Sequence, residues 1–128
     1  MNILGLDWGK AKIGIALGSD ETKIASPILI LENNGEWLDR LKRIIVSEMI
    51  GIVVIGKPVS LKGDESMSHE FEYFVRQVKK LGKKIVFEDE RLSTKLAQGL
   101  MRDFKKTKRA QDDDVAATVI LQSYLDKL

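Results

Sequence analysis

Carboxylates at three well-separated places are the residues of this chain best suited to chemistry: Asp7, the Asp89–Glu90 pair and the run Asp112–Asp114. Carboxylates drawn together repel one another unless a cation binds, and hard oxygen ligands with open water positions favour magnesium or manganese. Such a cluster can hold two metals about 3.5–4 Å apart, one activating a water and the other stabilising the leaving oxygen of a phosphodiester. Nothing else in the chain competes for the role. There is no cysteine, and the one histidine, His69, stands among Ser68, Glu70 and Glu72 at an apparently solvated helix start, so it is left out of the expected site.

Each acid also has a plainer use. Asp7 can steady the turn that follows it through backbone hydrogen bonds. Three aspartates at a helix start are favoured by capping and by the helix dipole. Glu88 to Glu90 reads equally well as a polar turn. The functional reading rests on the combination, because all three places sit at the ends of elements and a basic segment leads to two of them. Residues 76–109 hold twelve Lys or Arg against four Asp or Glu, a balance of +8 in a chain of net charge +2. That is the footprint of a polyanion-binding surface, or else the solvated faces of helices.

The elements that must position these groups follow from hydropathy. Ile3-Leu4-Gly5-Leu6 leads into Asp7-Trp8-Gly9, and Ile13, Ile15 and Leu17 then alternate with Gly14, Ala16 and Gly18, which predicts a β-hairpin delivering Asp7 to its exit. Ala25–Leu31 is a third extended segment, with Pro27 suited to an edge strand. Asn33-Asn34-Gly35 breaks the chain and offers an N-cap. A helix follows from Glu36 to Met49, with Trp37, Leu38, Leu41, Ile44, Ile45 and Met49 on one face. Ile52–Ile55 is β-branched without alternation, as in a strand covered on both faces. A second helix spans about Ser66 to Leu81, burying Phe71, Phe74, Val75, Val78 and Leu81, with Gly82 as its stop. Lys83–Phe87 forms the fifth strand, and Glu88 begins the loop after it. Ser93 can cap a third helix with Leu96, Leu100, Met101 and Phe104 inward. The last helix starts at Asp112–Asp114 and buries Val115, Val119, Ile120, Tyr124 and Leu128. If the first strand pairs with the crossover strands, Asp7 and the Asp89–Glu90 pair share one edge of the sheet, and a helix docked across that edge brings the third group.

With 128 residues, 44% hydrophobic and 31% charged, the chain fits one α/β domain over residues 1–128 with a core that needs no disulfides. No secretory signal is expected, and the apolar runs fall short of the roughly 20 residues that span a bilayer. A cytoplasmic enzyme or binding module is the expectation, with no membrane partner.

Taken in order, Leu6-Asp7-Trp8-Gly9 through Ile13-Gly14-Ile15-Ala16, Gly56-Lys57-Pro58 with Gly63, Asp89-Glu90-Arg91-Leu92-Ser93-Thr94, and Asp113-x-x-Ala116-Ala117 followed by Ile120-Leu121-Gln122-x-Tyr124-Leu125 resemble the successive motifs of the YqgF/RuvX family. That family has a ribonuclease H-like fold and is described as Holliday junction resolvases or as nucleases that process pre-16S rRNA. The resemblance covers nearly the whole chain. It implies a mixed five-stranded sheet flanked by helices, with strands one to three antiparallel and four and five parallel. It also implies that Asp7, Glu90 and Asp113 are the catalytic, metal-holding acids, with Mg2+ or Mn2+. Two positions depart from the family pattern. Asp112 stands where an apolar residue is usual, which leaves Asp112 or Asp114 as alternative ligands, and Lys57 adds charge where the family is commonly apolar.

The expected function is hydrolysis of phosphodiester bonds in structured nucleic acid. Arg91 would steady the scissile phosphate, while Lys57 and the loop residues Lys105, Lys106, Lys108 and Arg109 would hold the backbone. A ribosomal RNA precursor is the first choice of substrate and a four-way DNA junction the second, since phosphate contacts carry no base information. A monomer or a homodimer is expected, two-fold symmetry suiting a junction cut in pairs. Two rivals belong to other classes. One is a nucleic-acid-binding protein that keeps the acids only as caps. The other is a nucleotide phosphotransferase of the sugar-kinase or actin-like type, for which the chain is too short.

Overall fold

Alternation in the first nineteen residues closes the hairpin as expected. Strands β1 (Asn2–Trp8) and β2 (Lys12–Ser19) pair antiparallel from Asn2–Ser19 to Trp8–Ile13. The structure, a computed structural model, describes residues 1–57, 65–89 and 112–128, with side chains from 69 in the second stretch and from 115 in the third. The remaining described elements are β3 (Ser26–Glu32), α1 (Trp37–Ser47), β4 (Ile50–Lys57), α2 (Glu65–Lys79), β5 (Lys84–Asp89) and α3 (Asp112–Leu125). The helix expected to start at Ser93 lies outside the described residues.

The sheet order is β3-β2-β1-β4-β5, with β2 antiparallel to both neighbours and β1, β4 and β5 mutually parallel. This is the mixed five-stranded sheet the sequence predicts. Pro27 does lie on an edge strand, opposite Ala16 beside an irregularity in the β2–β3 ladder. Parallel strands bury both faces, and β4 accordingly carries unbroken apolar residues.

Two cores result. On one face Leu4, Leu6, Trp8, Ile13, Ile15, Val53 and Ile55 meet Trp37, Leu41 and Ile45 of α1 and Phe74, Val75 and Val78 of α2. On the other, Ile3, Ala16 and Val54 meet Ala117, Ile120, Leu121 and Leu125 of α3.

Several boundaries differ from the sequence reading. Met49 is 79% exposed rather than part of the buried face. It sits at φ 52°, in the left-handed region that ends α1, where its N–H bonds to the Val46 carbonyl, so its side chain is turned off the helical stripe. Gly82, at φ 80°, ends α2 as expected. Asn34 does not cap α1 from the N-cap position. That position is Glu36, whose N–H donates to Asn34 Oδ1 at 2.9 Å. β5 extends to Asp89, so Glu88 belongs to the strand and not to a polar turn. In α3 the stripe is wider than expected. Ala117, Thr118, Leu121, Ser123 and Leu125 are buried along with Val115, Val119 and Ile120, whereas Leu128 is half exposed.

Candidate active site

Strand alternation decides which way each group at the end of β1 faces. Ile3 packs with α3, so Gly5 and Asp7 belong to the α3 face, and Leu6 and Trp8 to the face covered by α1 and α2. Gly5 is where α3 comes closest. A Cβ there would lie 2.7 Å from Leu121 Cβ and 3.0 Å from the Ala117 carbonyl oxygen, so any larger residue would lift the helix. At Gly18, the register partner of Ile3, a Cβ would lie 2.9 Å from Leu125 Cδ1. Helix α3 therefore runs opposite to β1, with its amino end toward Asp7. Two strand residues advance about 6.8 Å and four helical residues about 6 Å. The step from Gly5 to Asp7 is thus matched by the step from Ala117 back to position 113. Among the three aspartates, position 113 shares the stripe of Ala117 and Leu121; the side chains of Asp112–Asp114 lie outside the described residues.

The parallel strands set the rest of the edge. Leu6 pairs with Ile55 and Ile55 with Phe87, so Asp7, Gly56 and Glu88 stand at one level. Asp7 is partly buried. Glu88 is only 3% exposed, yet it does not serve the edge. It accepts a hydrogen bond from Ser123 Oγ at 3.3 Å and an ion pair from Lys127 Nζ. Sequence reading missed that pairing, and its signal would have been Ser123 and Lys127 spaced four apart on the last helix. Asp89 is exposed and registers with Lys57, itself exposed at the end of β4.

Glu90, Arg91, Lys105, Lys106, Lys108 and Arg109 lie outside the described residues. Among the described residues no three of His, Cys, Asp and Glu gather as a metal site. The basic segment is split by the fold. Arg76, Lys79, Lys80, Lys83 and Lys84 are exposed around the end of α2 and the start of β5. Because β4 and β5 are parallel, that is the opposite edge of the sheet from Asp7.

Asn33 helps to hold the turn after Asp7. Asn33 Nδ2 donates to the Gly9 carbonyl at 2.8 Å, and the Asn33 N–H to the Ala11 carbonyl at 2.9 Å. On the α1 and α2 side of this turn is a cavity of about 380 Å3 whose aromatic lining is Trp8, Trp37, Tyr73 and Phe74 and whose polar lining is Lys10, Asn33, His69 and Glu70. Sequence reading left His69 out of any site, placed Trp37 and Phe74 on buried helix faces, and gave Tyr73 no role.

A family model described as RuvX, Holliday junction resolvase, matches residues 1–127. The chain belongs to the RuvX family. Its relatives include an Orientia tsutsugamushi (strain Ikeda) protein, 36% identical, with the match covering 98% of this chain and 84% of that one. Another, from Sulfurihydrogenibium sp. (strain YO3AOP1), is 34% identical, covering 98% and 90%. Both carry the name "Putative pre-16S rRNA nuclease". Among solved structures, Thermus thermophilus RuvC in complex with a Holliday junction substrate superposes with a TM-score of 0.72 at 10% identity, covering 99% of this chain and 95% of that one. A Fowlpox virus resolvase bound to Holliday junction DNA gives 0.60 at 15%, covering 99% and 98%. These two likenesses show the fold, which is ribonuclease H-like as expected. Membership in RuvX makes the chain one of a nuclease family, whose reaction is phosphodiester hydrolysis. No helix among the described residues is long and apolar enough to cross a membrane.

Proposed function

We propose that this protein is a cytoplasmic, divalent-metal-dependent nuclease acting on structured RNA, with a precursor of 16S rRNA as its substrate. The observation that carries the reading is the seating of α3 on Gly5, which sets the first turn of that helix level with Asp7. Asp7, Asp113 and Glu90 would together offer an all-oxygen donor set. Such a set fits Mg2+ or Mn2+ and offers nothing to a softer metal. When bound, the cation supplies an activated water and neutralises charge on the phosphoryl oxygens. The chain supplies the rest. Asp7 and Asp113 orient the cation from two elements fixed by one packing contact. Arg91 steadies the scissile phosphate, and Lys57, Lys105, Lys106, Lys108 and Arg109 hold the flanking backbone. Relatives named for pre-16S rRNA that align over 98% of this chain support RNA as the substrate class.

A second reading, cleavage of four-way DNA junctions, is favoured by the description of the family itself. Paired cuts would then call for a two-fold dimer. Matched RNA precursors and DNA junctions, incubated with magnesium, manganese or chelator, separate the two. Cleavage of the RNA that chelator abolishes is the expected result. Preferential junction cleavage would transfer the assignment to DNA, and binding without cleavage of either would reduce the protein to a binding module.

A further inference from the structure

The cavity behind the β1–β2 turn has walls of two kinds. Trp8 and Trp37 form a floor, 6% and 8% exposed, braced by edge contact of Trp8 with Phe71 (6.0 Å between centroids) and tilted packing of Trp37 against Phe74 (5.0 Å). Tyr73 stands at the mouth, 57% exposed, presenting a ring to solvent. Two cations lie beside this aromatic surface. Lys10 lines it and is exposed at the tip of the turn. Lys57 follows two residues after Ile55, the partner of Leu6, so register places it beside Trp8 on the same face. At about 380 Å3 the space falls within the range of small-ligand sites. Flat aromatic walls with a cationic rim are the chemistry that takes a nucleobase by stacking and its phosphate by charge. The location narrows the ligand further. Trp8 directly follows Asp7 in β1 and points to the opposite face, so a strand crossing the end of β1 meets the acid on one side and the cavity on the other.

We propose that this cavity takes one unpaired nucleotide of the substrate strand next to the cleaved bond, its base against Tyr73 and its phosphate on Lys10 and Lys57. The proposal rests on the nuclease reading in that the strand held is the one cut at Asp7. It gives the enzyme a preference for bonds flanked by an unpaired nucleotide over continuous duplex.

The chain has two tryptophans and both line the cavity, so intrinsic fluorescence reports on it directly. The full chain is titrated in chelator with a single-stranded RNA pentamer, the same sequence as DNA, a blunt RNA hairpin and a free nucleoside monophosphate. The expected result is saturable quenching by the pentamer and little by the hairpin. Tyr73→Ala should weaken pentamer binding about 5- to 100-fold, the range of one lost base–aromatic stack, while Tyr73→Phe should retain it. Because Tyr73 is exposed, its loss should leave the melting temperature nearly unchanged. The ratio of RNA to DNA affinity identifies which strand supplies the nucleotide, either of them supporting the site. Unchanged emission when anisotropy shows the pentamer bound would overturn the proposal. So would wild-type affinity in Tyr73→Ala. Cleavage assays keep the two readings apart. A protein that quenches but cuts nothing loses the nuclease reading and keeps the cavity. One that cuts with an unaltered KM in Tyr73→Ala loses the cavity and keeps the nuclease.

Discussion

At the scale of single residues, two carboxylates at one level of the sheet have different surroundings. Glu88 is buried and matched, with Ser123 and Lys127 as partners. Removing the cation strands the carboxylate, so Lys127→Ala should destabilise the fold by about 1–3 kcal/mol, read as a lower urea midpoint with an unchanged slope. Ser123 and the half-exposed position of Lys127 keep the loss below that of a fully enclosed pair. Asp7 should behave in the opposite way. If it faces Glu90 and Asp113, the metal-free protein holds like charges together, which opposes folding. Asp7→Asn should then melt at or above the wild-type temperature in chelator, a gain of up to about 1 kcal/mol. Magnesium should raise the melting temperature of the wild type more than that of the mutant. A lower melting temperature in chelator with equal magnesium responses would assign Asp7 to the turn. The place of Asp7 near the end of β1 was legible because an apolar run leads to it. Glu88 was not, since its burial depends on a contact with the far end of the chain that no local pattern encodes.

At the scale of elements, Gly5 sets the distance between α3 and β1. Gly5→Val would drive methyl groups into Leu121 and the Ala117 carbonyl, and overpacking of this kind costs about 1–3 kcal/mol. The predicted signature is a double loss: a lower melting temperature and a nuclease rate that falls even in the fraction still folded, because the first turn of α3 moves away from Asp7. A purely structural glycine would show only the first. Strand and helix identities were readable because their periods are strong. The hairpin, the edge position of Pro27, the Gly82 stop and the start at Asp112 all follow from local rules. Failures came where tertiary context overrode them. Met49 leaves its stripe by adopting the left-handed conformation at a helix end. Helix α3 is buried round much of its circumference, so a single-stripe reading missed Ala117, Leu121 and Leu125. The small residues Gly5, Ala16 and Gly18 were legible as strand, but not as the bed on which that helix lies.

For the molecule as a whole, position along the sheet sorts the basic residues that composition alone lumps together. The cluster at the end of α2 and start of β5 faces away from the Asp7 edge. Replacing Lys79, Lys80, Lys83 and Lys84 with Ala should therefore leave the salt dependence of RNA binding nearly intact. Replacing Lys105, Lys106, Lys108 and Arg109 should reduce its slope by up to about 3, at roughly 0.7 per single-strand phosphate contact. Equal slopes for both quadruple variants would show that the loop is a solvated connection. The seating of α3 on β1 also bears on synthesis. Translation delivers the hairpin well before that helix, so a chain that has not yet made α3 holds Asp7 beside an uncovered strip of small residues and lacks Asp113. Contacts this distant in sequence are slow to form. On the proposed assignment, a ribosome making this protein is thus next to a nascent chain whose acid set stays incomplete until α3 has emerged and docked.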